Sequence, residues 1–305
     1  MPSIRQLEYL IALSDTSHFR RAAEKIGVSQ PTLSAQLATL EESLGAQLVE
    51  RSRSRVMLTP LGKDVERVAR QVLRDVQEMR DLCAVQSGQF SGTIRLGLPP
   101  TIGPYLLPHL VPRVHKAYPD LKLYVREEVP HGLPARLQEG HHDVIVMPLP
   151  VVGDELQSIP LYREPLYLAV PADGPLAGST VLDRRDLKGQ AVLTLESGHH
   201  LHEQVEAICE EFGAVPLSNF EGTSLDTLRQ MVGMGMGISF LPGLYVHGTV
   251  AKDRSIKIIE LKGRAIYRAI GIFWRKTSAR GAEFEQLAEH IKETVRRTFP
   301  SCTVL

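Results

Sequence analysis

The apolar residues of the first sixty positions recur with a helical period, and the pattern then changes twice. Leu7, Leu10, Ile11 and Ser14 keep the i, i+3, i+4, i+7 spacing of a helix packed on one side. Ser17 is placed to cap a second helix that carries His18 to Ile26 and stops at Gly27. Ser29 offers the next N-cap, with Pro31 in a first turn where its missing N–H removes no bond. Leu33, Leu37, Leu40 and Leu44 again step at helical spacing until Gly45. Two short helices joined by a tight turn predict a helix-turn-helix. Beyond it, residues 47–50 and 55–58 alternate like the two strands of a wing. Thr59 predicts the cap of a long helix over 60–87, where Leu61, Val65, Val68, Val72, Val76 and Met79 form one stripe. Such a stripe needs a partner, most economically the same helix of a second subunit.

Past residue 92 short apolar strands alternate with helical stretches, which predicts an α/β domain with a largely parallel sheet. Strands over 93–98, 121–127 and 143–149 form a first lobe; strands over 166–171, 191–195, 219–223 and 238–241 form a second. A strand over 269–274 and an amphipathic helix over 279–298 return to the first. The expected organisation is therefore a winged helix-turn-helix over 1–59, a linker and dimerisation helix with hinge over 60–92, and an effector-binding domain over 93–305. Lobe I takes about 93–163 and 268–305, and lobe II about 164–267.

Composition changes this picture little. The 305 residues are 43% apolar and 23% charged, ordinary for a soluble globular protein. Lysine plus arginine and aspartate plus glutamate number 35 each, so only local charge is informative. Arg51, Arg53, Arg55, Lys63, Arg67, Arg70 and Arg74 against Asp64 and Glu66 make one basic stretch suited to phosphate. No uncharged apolar run is long enough to cross a membrane, and the opening residues lack the apolar core of a secretory signal. Cys83, Cys209 and Cys302 stand far apart, with neither disulfide nor zinc spacing, so a reducing cytoplasmic setting without cofactor or metal is expected.

The residues Phe19-Arg20-Arg21-Ala22-Ala23, Val28-Ser29-Gln30-Pro31-Thr32-Leu33-Ser34, Gln36, Leu40-Glu41, Leu44-Gly45, Leu48 and Glu50-Arg51 closely resemble the winged helix-turn-helix of the LysR family. The lobes downstream resemble that family's periplasmic-binding-protein-like effector domain. The resemblance implies a homodimeric or homotetrameric regulator of transcription on a pseudo-palindromic operator of double-stranded DNA. A recognition helix enters the major groove with its N-terminal residues toward the bases, here Ser29, Gln30, Pro31, Thr32 and Ser34, with Gln36 one turn on. Glutamine pairs bidentately with adenine, and serine or threonine serves several base edges. Arg20, Arg21, Arg51, Arg53 and Arg55 suit the phosphate backbone or the minor groove.

Within the family the chain is similar to the peroxide-responsive OxyR subgroup. Three segments carry this: residues 5–10, the run Gly97-Leu98-Pro99-Pro100-Thr101-Ile102-Gly103-Pro104-Tyr105-Leu106-Leu107-Pro108, and Leu195-Glu196-Ser197-Gly198-His199. That resemblance implies a reactive cysteine directly after the Gly-His pair and a resolving cysteine further on. Here the first is His200 and the second is kept as Cys209. Imidazole forms neither a sulfenic acid nor a disulfide, so thiol sensing is not expected, with redox response through Cys209 or Cys83 as the alternative. A small-molecule effector, anionic if it uses helix N-termini, is expected between the lobes at Thr101, Ile102, Ser197, His199, His200, Leu201, Thr223 and Ser224. His199 and His200 are adjacent on a helix start and diverge, a poor metal chelate.

Two other classes fare worse. No P-loop, Gly-x-Ser-x-Gly elbow, His-Glu-x-x-His or Cys-x-x-Cys supports an enzyme. The glycines at 233, 235 and 237 follow a helix and precede a strand, the reverse of a phosphate loop. A transport-type solute-binding protein would share the lobes but has no use for the head.

Overall fold

Helix α1 (Ile4–Thr16) begins at a capping box, in which Ser3 Oγ accepts from the Gln6 N–H and the Gln6 side chain accepts from the Ser3 N–H. Helix α2 (Phe19–Ile26) follows after a two-residue junction. Ser17 does not cap it. Its backbone is left-handed (φ 48°) and closes α1 through its N–H to the Leu13 carbonyl, while His18 Nδ1 accepts from the Arg20 N–H at 3.2 Å. One residue cannot be left-handed for α1 and extended for α2, so the cap moves one place on. Helix α3 (Gln30–Leu44) starts where Ser29 Oγ accepts from the Thr32 N–H at 3.3 Å. Gly27 and Gly45 close α2 and α3 at φ 72° and 66°, values that favour glycine.

The described residues are 1–51, 56–85, 92–150, 154–250, 253–263 and 265–305 of a computed structural model; for residues 51, 77, 78, 80–85 and 218–221 the description stops at the backbone. Two compact units divide the chain, 1–88 and 89–305. In the first, Leu10, Leu13, Ala22, Leu33, Leu37, Leu40 and Leu48 form the buried core between α1, α2, α3 and the wing. Strands β1 (Val49–Arg51) and β2 (Val56–Leu58) pair antiparallel, Val49 opposite Leu58. Glu41 ties α3 to this wing, its Oε1 accepting from the N–H groups of Leu48 (2.8 Å) and Val49 (3.0 Å). Helix α4 (Pro60–Val85) begins where Thr59 Oγ1 accepts from the Gly62 N–H and donates to the Gln47 carbonyl, both at 2.9 Å. Asp15 holds α4 to α1 and α2, taking Lys25 Nζ and Arg70 Nη2 at 2.6 Å each. Burial alone would raise its carboxyl pKa, yet these two cations hold it below the usual range. On α4, Leu61, Val68 and Met79 are exposed and Val65, Val72 and Val76 half-buried, so the predicted stripe lacks a full partner among the described residues.

The second unit is built on β3 (Gly92–Leu98), α5 (Gly103–Ala117), β4 (Leu121–Glu127), α6 (Leu133–Gln138), β5 (Val144–Pro148) and the long β6 (Leu156–Pro171). It continues through β7 (Val181–Leu182), β8 (Ala191–Leu195), α7 (His200–Phe212), β9 (Val215–Gly222), α8 (Leu225–Gly233), β10 (Ile238–Pro242) and α9 (Gly243–Gly248). Strands β11 (Ile256–Leu261) and β12 (Tyr267–Arg275), helix α10 (Gly281–Thr298) and β13 (Thr303–Val304) complete it. In lobe I the order is β4-β3-β5-β12-β6, with β3 parallel to β4 and β5 and β12 antiparallel to both its neighbours. In lobe II β8 runs parallel to β9 and β10, and β6 runs antiparallel to β10 and β11. Two cores result: Leu96, Leu110, Val146, Ile272, Phe284 and Ile291 sit in the first, and Leu168, Val192, Leu201, Val205, Leu228 and Phe240 in the second.

The sequence pattern predicts a strand only over 166–171, whereas β6 starts ten residues earlier and serves both lobes. Its first part pairs with β12 and its last part with β10 and β11. Arg163, Glu164 and Pro165 interrupt the apolar alternation at the crossing point, and that interruption is what hides the strand's continuity.

A methyl group on Gly62 would lie 2.1 Å from the Leu48 carbonyl oxygen, a backbone atom that cannot swing aside. Gly62→Ala is expected to destabilise the head by roughly 1–3 kcal/mol through overpacking and to weaken DNA binding through the wing. Thermal unfolding and mobility-shift titration of the variant check both effects.

Candidate nucleic-acid interface and interlobe site

The head presents the predicted recognition residues at the N-cap and in the first two turns of α3 and on α2. Arg20, Arg21, Ser29, Gln30, Pro31, Thr32 and Gln36 are exposed, and Ser34 is half-buried. Arg20 pairs with Glu24 at 3.0 Å across one helical turn. The Ser29 and Thr32 hydroxyls lie 2.7 Å apart, so part of their capacity serves the cap. Gln36 is held from behind by buried Gln6, whose Nε2 donates to Gln36 Oε1 at 3.2 Å. The side chain of Arg51, and Arg53 and Arg55 entirely, lie outside the described residues.

Between the lobes, the residue that organises the site is one that the sequence pattern does not single out. Arg268 on β12 stands opposite Glu164 on β6, and both side chains are 0% exposed. Arg268 Nε donates to Glu164 Oε1 at 2.8 Å, Nη1 to Thr101 Oγ1 at 3.1 Å and Nη2 to the Thr101 carbonyl at 2.9 Å. Glu164 Oε2 accepts from the Leu244 N–H at 2.8 Å. The pair thus joins the crossing strands to the loop before α5 in lobe I and to the start of α9. Thr101, expected to meet an effector, is buried and spends its hydroxyl and carbonyl on this arginine.

The helix starts differ in what they leave open. At α5 the N–H groups of Ile102 and Gly103 donate to the Pro99 carbonyl, that of Tyr105 to Ile102, and Pro104 has none. This start is spent, and the Ile102 side chain lies in the lobe I core; the free N–H groups expected there are absent because the Pro-Pro-Thr turn already uses them. At α8 Ser224 Oγ accepts from the Thr227 N–H at 3.2 Å, a cap, while Thr223 is exposed. At α7 His199 provides no side-chain cap. Leu201 points into the lobe II core, so only its backbone faces the helix start.

Unmatched polar atoms lie on β8 and in the first turns of α7. Nδ1 of His199, Nδ1 of His200, Oγ1 of Thr194 and Oε1 of Gln204 are buried without a hydrogen-bond partner among the described residues. Burial lowers the His199 pKa, so the ring is neutral near pH 7. The turn before α7 faces lobe I: a methyl group on Gly198 would sit 3.3 Å from Val129 Cγ1. Ser197 is exposed beside it. Further along the cleft, Tyr105 stacks edge-on against Tyr245 with centroids 5.0 Å apart, and Tyr245 donates to Asp226 Oδ1 at 2.9 Å. Burial, then the negative charges of Asp226 and Glu127, raise the Tyr105 hydroxyl pKa, and burial raises that of the Glu127 carboxyl.

His202 is satisfied, Nδ1 lying 2.7 Å from the Leu195 carbonyl and Nε2 3.3 Å from Glu206. His141 meets Glu139 at 3.5 Å and His142 meets Glu128 at 3.4 Å. Cys209 lies nine residues beyond His200 on the same helix, about 13 Å along its axis at 1.5 Å per residue. It is buried in the lobe II core, and burial followed by Glu206 pushes its thiol up to about 11.

Residues 4–63 match the model of the bacterial regulatory helix-turn-helix protein, lysR family, and residues 87–296 match the LysR substrate binding domain. The chain belongs to the LysR family. It is 40% identical over 290 residues to the DNA-binding transcriptional dual regulator OxyR of Escherichia coli K12, covering 95% of each protein. The HTH-type transcriptional regulator EstR of Acinetobacter baylyi is 33% identical over 293 residues, covering 96% of this chain and 97% of that protein. Among solved structures, full-length OxyR from Pseudomonas aeruginosa with a cysteine-to-aspartate substitution superposes with a TM-score of 0.78 at 34% identity, over 96% of this chain and 95% of that one. This LysR-type chain is therefore OxyR-like in both its head and its two-lobed α/β domain.

Two outcomes follow. Arg268→Met leaves Glu164 buried without its cation and is expected to cost about 3–5 kcal/mol, with a smaller loss when Glu164→Leu removes the acid as well; urea denaturation of the regulatory unit checks this. In a Cys83→Ser, Cys302→Ser background, Cys209 should resist iodoacetamide at pH 8 and react on unfolding, since its thiolate is scarce well below pH 11. Mass spectrometry of the quenched reaction reads it.

Proposed function

We propose that this OxyR-like, LysR-type DNA-binding transcriptional regulator answers to a small-molecule effector held between its lobes rather than to oxidation of a thiol. The observation that carries the reading is the start of α7, where the Nδ1 atoms of His199 and His200 are buried without a hydrogen-bond partner among the described residues and the cysteine of the same helix lies far off in the core. Buried polar atoms without partners are costly, and a ligand that supplies the missing bonds is favoured by the same free energy. The uncapped helix start adds N–H groups and a positive dipole end. Together they suit a small anion such as a carboxylate, with imidazole nitrogens beside the helix N–H groups.

The remaining parts follow from this. Residues 1–59 serve as the DNA-binding head and 60–92 as linker and dimerisation helix, with the exposed Leu61, Val68 and Met79 paired against a second subunit. Gln30, Pro31, Thr32 and Ser34 meet base edges, while Arg20, Arg21 and the wing arginines meet phosphate. The regulator works by binding, as a homodimer or homotetramer on a pseudo-palindromic operator, and not as an enzyme. No helix among the described residues is long and apolar enough to cross a membrane. Effector binding at the α7 start shifts the lobe angle about the β6–β12 crossing.

The test is a footprint on DNA upstream of the chain's own gene, with and without hydrogen peroxide, together with thermal unfolding in a panel of small carboxylates. Peroxide should leave the footprint unchanged. An effective carboxylate at one hundred times its Kd should stabilise the native chain by about 2.7 kcal/mol, and His200→Ala should remove that gain. A footprint that changes with peroxide and loses the change in Cys209→Ala overturns the reading in favour of redox control.

A further inference from the structure

Gln36 is an exposed recognition-helix side chain whose orientation is set from another helix, and the hydrogen bonds that set it can be followed from an unambiguous donor. The Ser3 backbone N–H can only donate, and it donates to Gln6 Oε1 at 3.0 Å. That bond places the Gln6 oxygen toward Ser3 and its NH2 group on the other side. The NH2 group then donates to Gln36 Oε1 at 3.2 Å. Gln36 consequently spends its oxygen inward, and its NH2 group carries no hydrogen bond among the described residues. Gln6 is 7% exposed and locked in the capping box of α1, so the relay rests on a rigid element.

An amide with both faces open is neutral in its reading: it pairs with adenine by accepting from N6 and donating to N7. An amide whose oxygen is turned inward presents its NH2 donors outward. We propose that Gln6 is a positioning residue for base recognition, which presents Gln36 as a donor-only reader of acceptor edges, guanine O6/N7 or thymine O4, and disfavours cytosine, whose major-groove edge is the N4 donor. The inference rests on α3 being the helix that meets the bases.

Gln6→Glu separates this role from a merely structural one. A glutamate at this place still forms the Ser-x-x-Glu capping box, so α1 keeps its start. Its carboxylate only accepts, so the Gln36 amide must turn its NH2 group inward and its oxygen outward. The experiment selects bound duplexes from a random-sequence library by mobility shift with the full chain, for wild type, Gln6→Glu, Gln36→Ala and the double variant, and sequences them.

At one position per half-site the wild type should prefer guanine or thymine, by roughly threefold to tenfold for a single hydrogen bond. Gln6→Glu should shift that position toward cytosine or adenine and leave the others as they were. Gln36→Ala should flatten the position, and adding Gln6→Glu to it should change nothing there. Uniform weakening of Gln6→Glu across all sequences, or a Gln36→Ala profile identical to wild type, overturns the inference while leaving the regulator reading intact. A wild-type chain that enriches no sequence overturns the assignment of α3 itself and this inference with it.

Discussion

The second unit depends on one buried ion pair. Arg268 and Glu164 meet where the two strands that cross between the lobes lie side by side, and neither side chain touches solvent. Removing two charges from water is costly, so the pair persists only because further hydrogen bonds satisfy it. Thr101 supplies two of them from lobe I and the Leu244 N–H supplies another from the start of α9. The polar knot therefore fixes how the crossing strands, the α5 entry and α9 stand relative to one another. An apolar hinge of the same volume would lack the directional preference that these hydrogen bonds impose.

This arrangement reassigns Thr101. From sequence it is a small polar residue after a strand and before a helix, the usual place for a ligand contact. In the fold its oxygens are committed to Arg268, and the α5 start beside it has no N–H left to offer. The unmet polar capacity lies across the cleft at α7, where His199 and His200 occupy a helix start without a cap. Where the resemblance to OxyR implies a pair of cysteines, this chain has His200, its Nδ1 buried without a hydrogen-bond partner among the described residues, and Cys209, a core residue.

The head shows a smaller version of the same logic. Glu41 and Gln6 sit on helices but act on other elements, Glu41 by bonding the N–H groups that open the wing and Gln6 by bonding the amide of Gln36. In both cases a polar side chain near the core decides where a neighbouring element or group points. The apolar core under α3 makes the helix, and these polar contacts orient what the helix carries.

The sequence by itself determined the head and the order of elements behind it. Helical spacing of Leu33, Leu37 and Leu40, glycines after α2 and α3, Ser29 as cap and Thr59 before α4 are local signals, and local backbone physics is enough to read them. The strands β3, β4, β5, β8 and β10 were equally legible from short apolar runs. Which end of α1 meets which cap was not, because Ser17 and His18 compete for one junction and only packing chooses. The Arg268–Glu164 pair was out of reach: its partners stand 104 positions apart, and each alone reads as a charge interrupting an apolar strand. The tertiary structure decided that pair, the burial of Thr101 and the open start of α7, since register across a sheet and the filling of hydrogen-bond valences are properties of residues brought together and not of residues in a row.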